Sequence, residues 1–92
     1  MPKIEIYSSP LCGFCYRAKQ LLNRKGVKYS EINVLLEPGR KSEMIQRAGG
    51  RTTVPQIFIG TEHVGGCDDL YALDREGLLE PMLRAHATEG AA

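Results

Sequence analysis

Apolar and polar residues alternate near the start of the chain. Lys3-Ile4-Glu5-Ile6-Tyr7 carries β-forming residues on a period of two, which predicts a strand. Ser8, Ser9 and Pro10 interrupt it. From about residue 13 to 25 the period lengthens. Ala18, Leu21 and Leu22 share one face, and Arg17, Lys19, Gln20, Arg24 and Lys25 fill the rest, as in an amphipathic helix. Arg24 and Lys25 suit the negative end of the helix dipole, and Gly26 is a good terminator. Residues 27–34 predict a second strand, with Val27, Tyr29 and Ile32 as its apolar members. Pro38 can open a second helix that runs to about Ala48 and buries Met44 and Ile45, before Gly49 and Gly50 end it.

Gln56-Ile57-Phe58-Ile59 is a short apolar strand. Gly60 and Thr61 turn the chain back into Glu62-His63-Val64, which makes a hairpin. Gly65 and Gly66 lead into a helix over about 67–75, with Asp68 and Asp69 in the first turn, where the positive dipole end favours them. Gly77 breaks that helix. A last helix is expected over 78–87, followed by a small polar tail, 88–92, expected to fray. A strand–helix–strand crossover makes a right-handed parallel pair, and the hairpin adds two antiparallel strands. The expectation is an α/β domain over residues 1–87, a four-stranded mixed sheet flanked by helices on both faces.

Length and charge narrow the function. Ninety-two residues make one domain with a limited core. Twelve basic residues against eleven acidic ones leave +1, which argues against a nucleic-acid partner held by bulk charge. No apolar run reaches the ~20 residues of a membrane span, so no membrane partner is expected. The first seven residues lack the apolar core of a signal peptide, and the expected location is cytoplasmic.

The cysteines carry the chemistry. There are three, and two form Cys12-Gly13-Phe14-Cys15. That spacing suits either redox chemistry or half of a metal site. A structural zinc site needs four ligands, and Cys67, His63 and His86 are not paired at ligand spacing, so redox chemistry is the stronger reading. The pair falls between the first strand and the first helix. The reactive species is the thiolate, and a free cysteine has a pKa of about 8.5. Unpaired N–H groups and the dipole at a helix N-terminus stabilise the anion. Cys12, just ahead of the helix, is the expected nucleophile. Cys15 lies one turn in on the same side, at a Cα separation of about 5–6 Å that a disulfide can span, and is the expected resolving thiol.

Three segments together resemble the glutaredoxin family over nearly the whole chain: Cys12-Gly13-Phe14-Cys15 after a strand, Thr52-Thr53-Val54-Pro55-Gln56-Ile57-Phe58-Ile59, and Gly65-Gly66-Cys67-Asp68-Asp69-Leu70. The resemblance implies a thioredoxin-like fold and glutathione as co-substrate. It also implies reduction of protein disulfides and of glutathione mixed disulfides, which makes proteins carrying those groups the partners. It implies that Pro55 is cis and faces the cysteines. Thr53 and Val54 would then offer backbone to the tripeptide as an added strand does. Gly66, Cys67 and Asp68 would hold its γ-glutamyl end, although Asp68 also reads as a helix cap. The Cys67 thiol reads as a small buried hydrophobe. Lys41, with Arg40 beside it and Arg51 as a weaker candidate, would take the glycyl carboxylate; solvated surface charge is the other reading.

The chain departs from the family pattern in three places. Ser9 stands where many members carry a Lys before the first cysteine, so a direct positive charge is missing. Gly13 and Phe14 replace the Pro-Tyr frequent in the dithiol branch. Gly13 is expected to free the backbone at the helix start, and Phe14 lacks the hydroxyl. Gly-Phe also occurs in the monothiol branch, whose members bind a [2Fe–2S] cluster between two subunits, each giving its first cysteine, with two glutathiones supplying the remaining ligands. Cys15 points to the dithiol branch, in which the chain works as a monomer without metal. A cluster held through Cys12 in a dimer is the alternative. A thioredoxin is disfavoured because the chain has no Trp.

Overall fold

A computed structural model describes residues 3–84. The elements are β1 (Ile4–Ser8), α1 (Gly13–Arg24), β2 (Ser30–Asn33), α2 (Pro38–Arg47), β3 (Gln56–Ile59), β4 (Glu62–Gly65) and α3 (Cys67–Arg75). A further helical segment, α4, covers 79–84. The expected end of the last helix at 87, the domain limit there and the tail 88–92 lie outside the described residues. The strand order is β2-β1-β3-β4. β1 runs parallel to β2, with Glu5 opposite Ser30, and antiparallel to β3, with Ile6 opposite Ile57. β4 completes the hairpin on β3. This is the four-stranded mixed sheet that the element order implied, in the thioredoxin-like fold that the resemblance implied.

One strand differs from expectation. Only Ser30–Asn33 join the sheet, not residues 27–34. The ladder begins where β1 offers a partner, at Glu5. Val27 and Tyr29 still contribute apolar surface against the core without making strand pairs.

The sheet separates two apolar layers. On one face Ile4, Ile6, Ile57 and Ile59 meet Ala18, Leu21 and Leu22 of α1, Leu70 of α3, and Leu79 and Leu83 of α4. On the other, Tyr7, Ile32 and Phe58 meet Met44 and Ala48 at α2. Each such large apolar side chain gains roughly 1.5–3 kcal/mol by leaving water. The alternation in β1 does not mark a solvent face, because the strand is central and buried throughout. Glu5 is tolerated there because Arg47 of α2 reaches its carboxylate at 3.0 Å. Arg47 also donates to the Tyr7 hydroxyl at 2.8 Å and covers the Phe58 ring at 4.1 Å. The Tyr7 hydroxyl donates in turn to Glu43.

Two further contacts fix elements against one another. Val34 N–H donates to the Ser8 carbonyl at 2.9 Å, which ties the ends of the parallel strands together. The Tyr71 hydroxyl donates to the Arg17 carbonyl at 3.0 Å, which joins α1 to α3. The loop carrying Cys12 therefore leaves the carboxyl end of a buried central strand, where α/β sheets commonly present their ligand sites. Among the described residues no helix is long and apolar enough to cross a membrane.

Candidate active site

Cys12 is the N-cap of α1, with extended backbone at φ −122 and ψ 105. Its carbonyl accepts the first helical bond, from Tyr16 N–H at 3.1 Å. Its sulfur accepts the Cys15 N–H, also at 3.1 Å. A side-chain acceptor at this place satisfies a backbone donor that the helix leaves unpaired. Cys12 and Cys15 are joined as a disulfide, with Cα atoms 5.2 Å apart. They differ in access: Cys12 is half-buried, whereas Cys15 is buried at 1% exposure on the inward face of α1. The freedom expected of Gly13 is not used. Its backbone is ordinary right-handed helix, and a side chain there would meet nothing within 4 Å.

The Val54–Pro55 bond is cis. The Val54 carbonyl oxygen lies 3.7 Å from the Cys12 sulfur. Beside this contact lies a groove of about 270 Å³. Thr53, Val54 and Pro55 form one wall and Gly66, Cys67 and Asp68 another, with Phe14, Arg51 and Asp69 completing it. Six residues singled out from sequence thus meet in one place. Lys41 is exposed on α2 and does not line this groove. Arg40 is engaged by Glu43 at 3.0 Å and by Glu37 at 3.8 Å. Arg51, the weaker candidate, is the cation in the lining.

The opening of α3 explains why Asp68 and Asp69 differ. Gly66 is its N-cap and has no side chain to offer. The Asp69 carboxylate reaches back instead and accepts the Gly66 N–H at 2.8 Å. Arg51 binds the same oxygen at 3.1 Å. The Gly66 N–H first, and Arg51 next, hold the Asp69 carboxyl below its ordinary value. Asp68, the residue before it, accepts no hydrogen bond from any described residue and is exposed at the groove. The cap expected as an alternative for Asp68 therefore belongs to its neighbour. Gly65 turns with φ +115, and the space beside it is filled by the Asp69 carboxylate and Arg51. Cys67 is free and buried at 4% exposure, and burial raises its thiol pKa, which keeps it a protonated apolar neighbour of the groove.

Sequence reasoning missed the supports of this site. Phe14 was read only for its missing hydroxyl, yet it lines the groove. Beyond their place in the matching segments, Asp69 was read as charge near a dipole and Gln56 as a strand residue, with no role at the site. Gln56 is fully buried and donates to the Thr53 carbonyl at 3.0 Å. A polar residue opening an otherwise apolar strand was the one available signal for it.

A partly exposed cysteine at a helix N-terminus, bonded to a second sulfur one turn along and facing the Val54 carbonyl ahead of a cis-proline, is the arrangement of a dithiol redox centre. The comparisons agree. The glutaredoxin family model matches residues 4–64. The chain is 52% identical to Glutaredoxin 3 of Escherichia coli K12 over 84 residues, 91% of this chain and 100% of that one. The solution structure of a glutaredoxin from Brucella melitensis superposes with a TM-score of 0.79 at 53% identity, covering 90% of this chain and 89% of that one. A crystal structure of a buckwheat glutaredoxin–glutathione complex superposes with a TM-score of 0.83 at 34% identity, covering 91% and 78%. With its Cys12–Cys15 pair, the chain belongs to the glutaredoxin family, in the dithiol class, and is a thiol–disulfide oxidoreductase.

Proposed function

We propose that the protein reduces protein disulfides and glutathione mixed disulfides at the expense of glutathione. The observation that carries this reading is the Cys12 sulfur, held by the Cys15 N–H at 3.1 Å and standing 3.7 Å from the Val54 carbonyl at the groove. In the reduced protein Cys12 is the nucleophile, because Cys15 is buried and Cys12 faces solvent. The Cys12 thiolate attacks the glutathione sulfur of a mixed disulfide. A Cys12–glutathione bond forms, and the protein thiolate leaves and takes a proton. A second glutathione thiolate attacks that glutathione sulfur, releases oxidised glutathione and restores the Cys12 thiolate. With a protein disulfide, Cys12 forms a mixed disulfide with the substrate. Cys15 then attacks the Cys12 sulfur and frees the substrate as a dithiol. Two glutathiones subsequently reduce the Cys12–Cys15 bond.

The groove suits the tripeptide in size and chemistry. The Val54 backbone offers strand-like pairing, Asp68 offers a free carboxylate to the ammonium, and the amides opening α3 suit the γ-glutamyl carboxylate. Arg51 uses one Nη in its ion pair and has further donors for a carboxylate, while Lys41 would have to reach in from α2. In a coupled assay, Cys15→Ser should keep turnover of a glutathione mixed disulfide and lose dithiol reduction of protein disulfides. Cys12→Ser should lose both. Equal loss from the two changes would contradict these roles.

The open space beside Gly13 favours a second reading, a [2Fe–2S] cluster between two chains. Among the described residues no three His, Cys, Asp or Glu side chains converge on one point, and Cys12 is the one cysteine that is not buried. One chain therefore fits such a cluster only as the donor of Cys12, with a second chain and two glutathiones completing the ligands. Anaerobic reconstitution with glutathione would give a coloured dimer; a colourless monomer would remove this reading.

A further inference from the structure

Gln56 opens β3 with no exposed surface, at 0%. A buried primary amide costs free energy unless its donors and acceptor are matched. The Gln56 Nε2 donates to the Thr53 carbonyl at 3.0 Å and lies 3.3 Å from the Thr53 hydroxyl. Its Oε1 is 2.7 Å from His63 Nε2. Because the amide nitrogen is directed at Thr53, the oxygen accepts, and the neutral imidazole carries its proton on Nε2. The ring is fixed as well. It stacks on Phe58, with centroids 4.9 Å apart and planes 25° apart, and Arg47 covers Phe58 at 4.1 Å.

This chain of contacts ends on backbone that the sheet does not hold. Residues 51–55 lie outside the strands, and ladder pairing begins only at Gln56. The Val54 carbonyl lies near the Cys12 sulfur, and no described group accepts the Val54 N–H. Backbone that pairs with a ligand must keep its own groups free and aimed. A segment without ladder partners needs another means of being held. We infer that Gln56 and His63 are positioning residues, whose hydrogen-bond chain to Thr53 fixes the Thr53–Pro55 backbone in the orientation that receives glutathione. The inference rests on the glutathione reading above. It makes affinity for the tripeptide depend on two side chains that do not line the groove.

The test compares Gln56→Glu, Gln56→Leu and His63→Phe with the native protein. Gln56→Glu keeps the shape and the His63 partner but removes the donor to Thr53. His63→Phe keeps the stack on Phe58 and removes the donor to Gln56. Two quantities are measured: kcat and KM for glutathione with a small mixed disulfide, and the rate at which dithiothreitol, which has no tripeptide to seat, reduces the Cys12–Cys15 disulfide. For Gln56→Glu, KM should rise roughly tenfold, with kcat within about twofold and the dithiothreitol rate unchanged, since misplacing a binding segment by a fraction of an ångström costs on that scale. His63→Phe should show the same pattern at roughly threefold. A native KM in Gln56→Glu would overturn the inference. So would a parallel fall in kcat and in the dithiothreitol rate, which would make Gln56 merely structural. If Gln56→Leu fails to fold, the near-isosteric Glu variant decides. A native protein without saturable dependence on glutathione would instead overturn the glutathione reading, and this inference with it.

Discussion

Removing the Arg47 guanidinium should unfold the α2 face of the sheet at markedly lower denaturant. The perturbation is Arg47→Met, which keeps most of the apolar stem and so limits any cavity. Four contacts go with the guanidinium: the bond to Glu5 at 3.0 Å, the bond to the Tyr7 hydroxyl at 2.8 Å, the stack on Phe58 at 4.1 Å, and a longer approach to the Tyr7 ring at 5.7 Å. A buried hydrogen bond to a charged group is worth roughly 1.5–3 kcal/mol. Because the Arg47 side chain is 32% exposed, the lower half of that range is the relevant part. The cation–ring contact adds roughly 0.5–1 kcal/mol. Glu5 would keep only Lys3 at 3.8 Å, and the Lys3 side chain is itself 73% exposed. With two such bonds and the ring contact, the expected loss is about 3.5–5.5 kcal/mol, set against a total stability of roughly 5–14 kcal/mol for a domain of this length. The assay is urea denaturation with a shared m-value, which separates a change in stability from a change in the unfolded state. The thermal midpoint should fall by about 10 °C or more. Arg47→Lys, which keeps charge without the planar fork, should lie between. A loss below about 0.5 kcal/mol, the scale of an ordinary surface change, would mean that water replaces the guanidinium and that this cluster does not hold the layer.

Two further predictions concern the groove. The folded Asp69 carboxyl is held below its unfolded value by the Gly66 N–H and by Arg51, so its contribution is complete above about pH 4 and fades as pH falls through the lower folded value. Denaturation curves at pH 7, 4 and 3 should therefore fall more steeply for the native protein than for Asp69→Asn; parallel curves would deny the linkage. Arg51→Gln should raise the KM for glutathione roughly threefold to tenfold, and Lys41→Ala should leave it nearly unchanged, as expected for a cation in the groove against one on the surface. The reverse ranking in steady-state kinetics would return the carboxylate site to α2.

The order of elements was legible because its signals are local. Periods of 2 and 3.6 identified β1 and α1, a short apolar run identified β3, and Gly26 does turn with φ +71 where the helix stops. The redox pair was legible for the same reason. Cysteines three apart at a strand-to-helix junction must share a helix end, whatever surrounds them. The second strand was overread because Val27 and Tyr29 carry strand-forming side chains, while ladder membership depends on what the neighbouring strand offers. Among the acidic residues at α3, sequence alone could not separate a cap from a free carboxylate, since both lie in the first turn.

What closure of the chain decided is which distant groups became partners. Arg51 lines the groove, where the Asp69 carboxylate holds it across 18 residues of sequence, while Lys41 lies exposed on α2. Glu5 became tolerable in a central strand because Arg47, 42 residues away, lay over it. Local patterning depends on the backbone's own repeat and can be read along the chain. The matching of buried donors, acceptors and charges is settled only when separate segments exclude water from the same space.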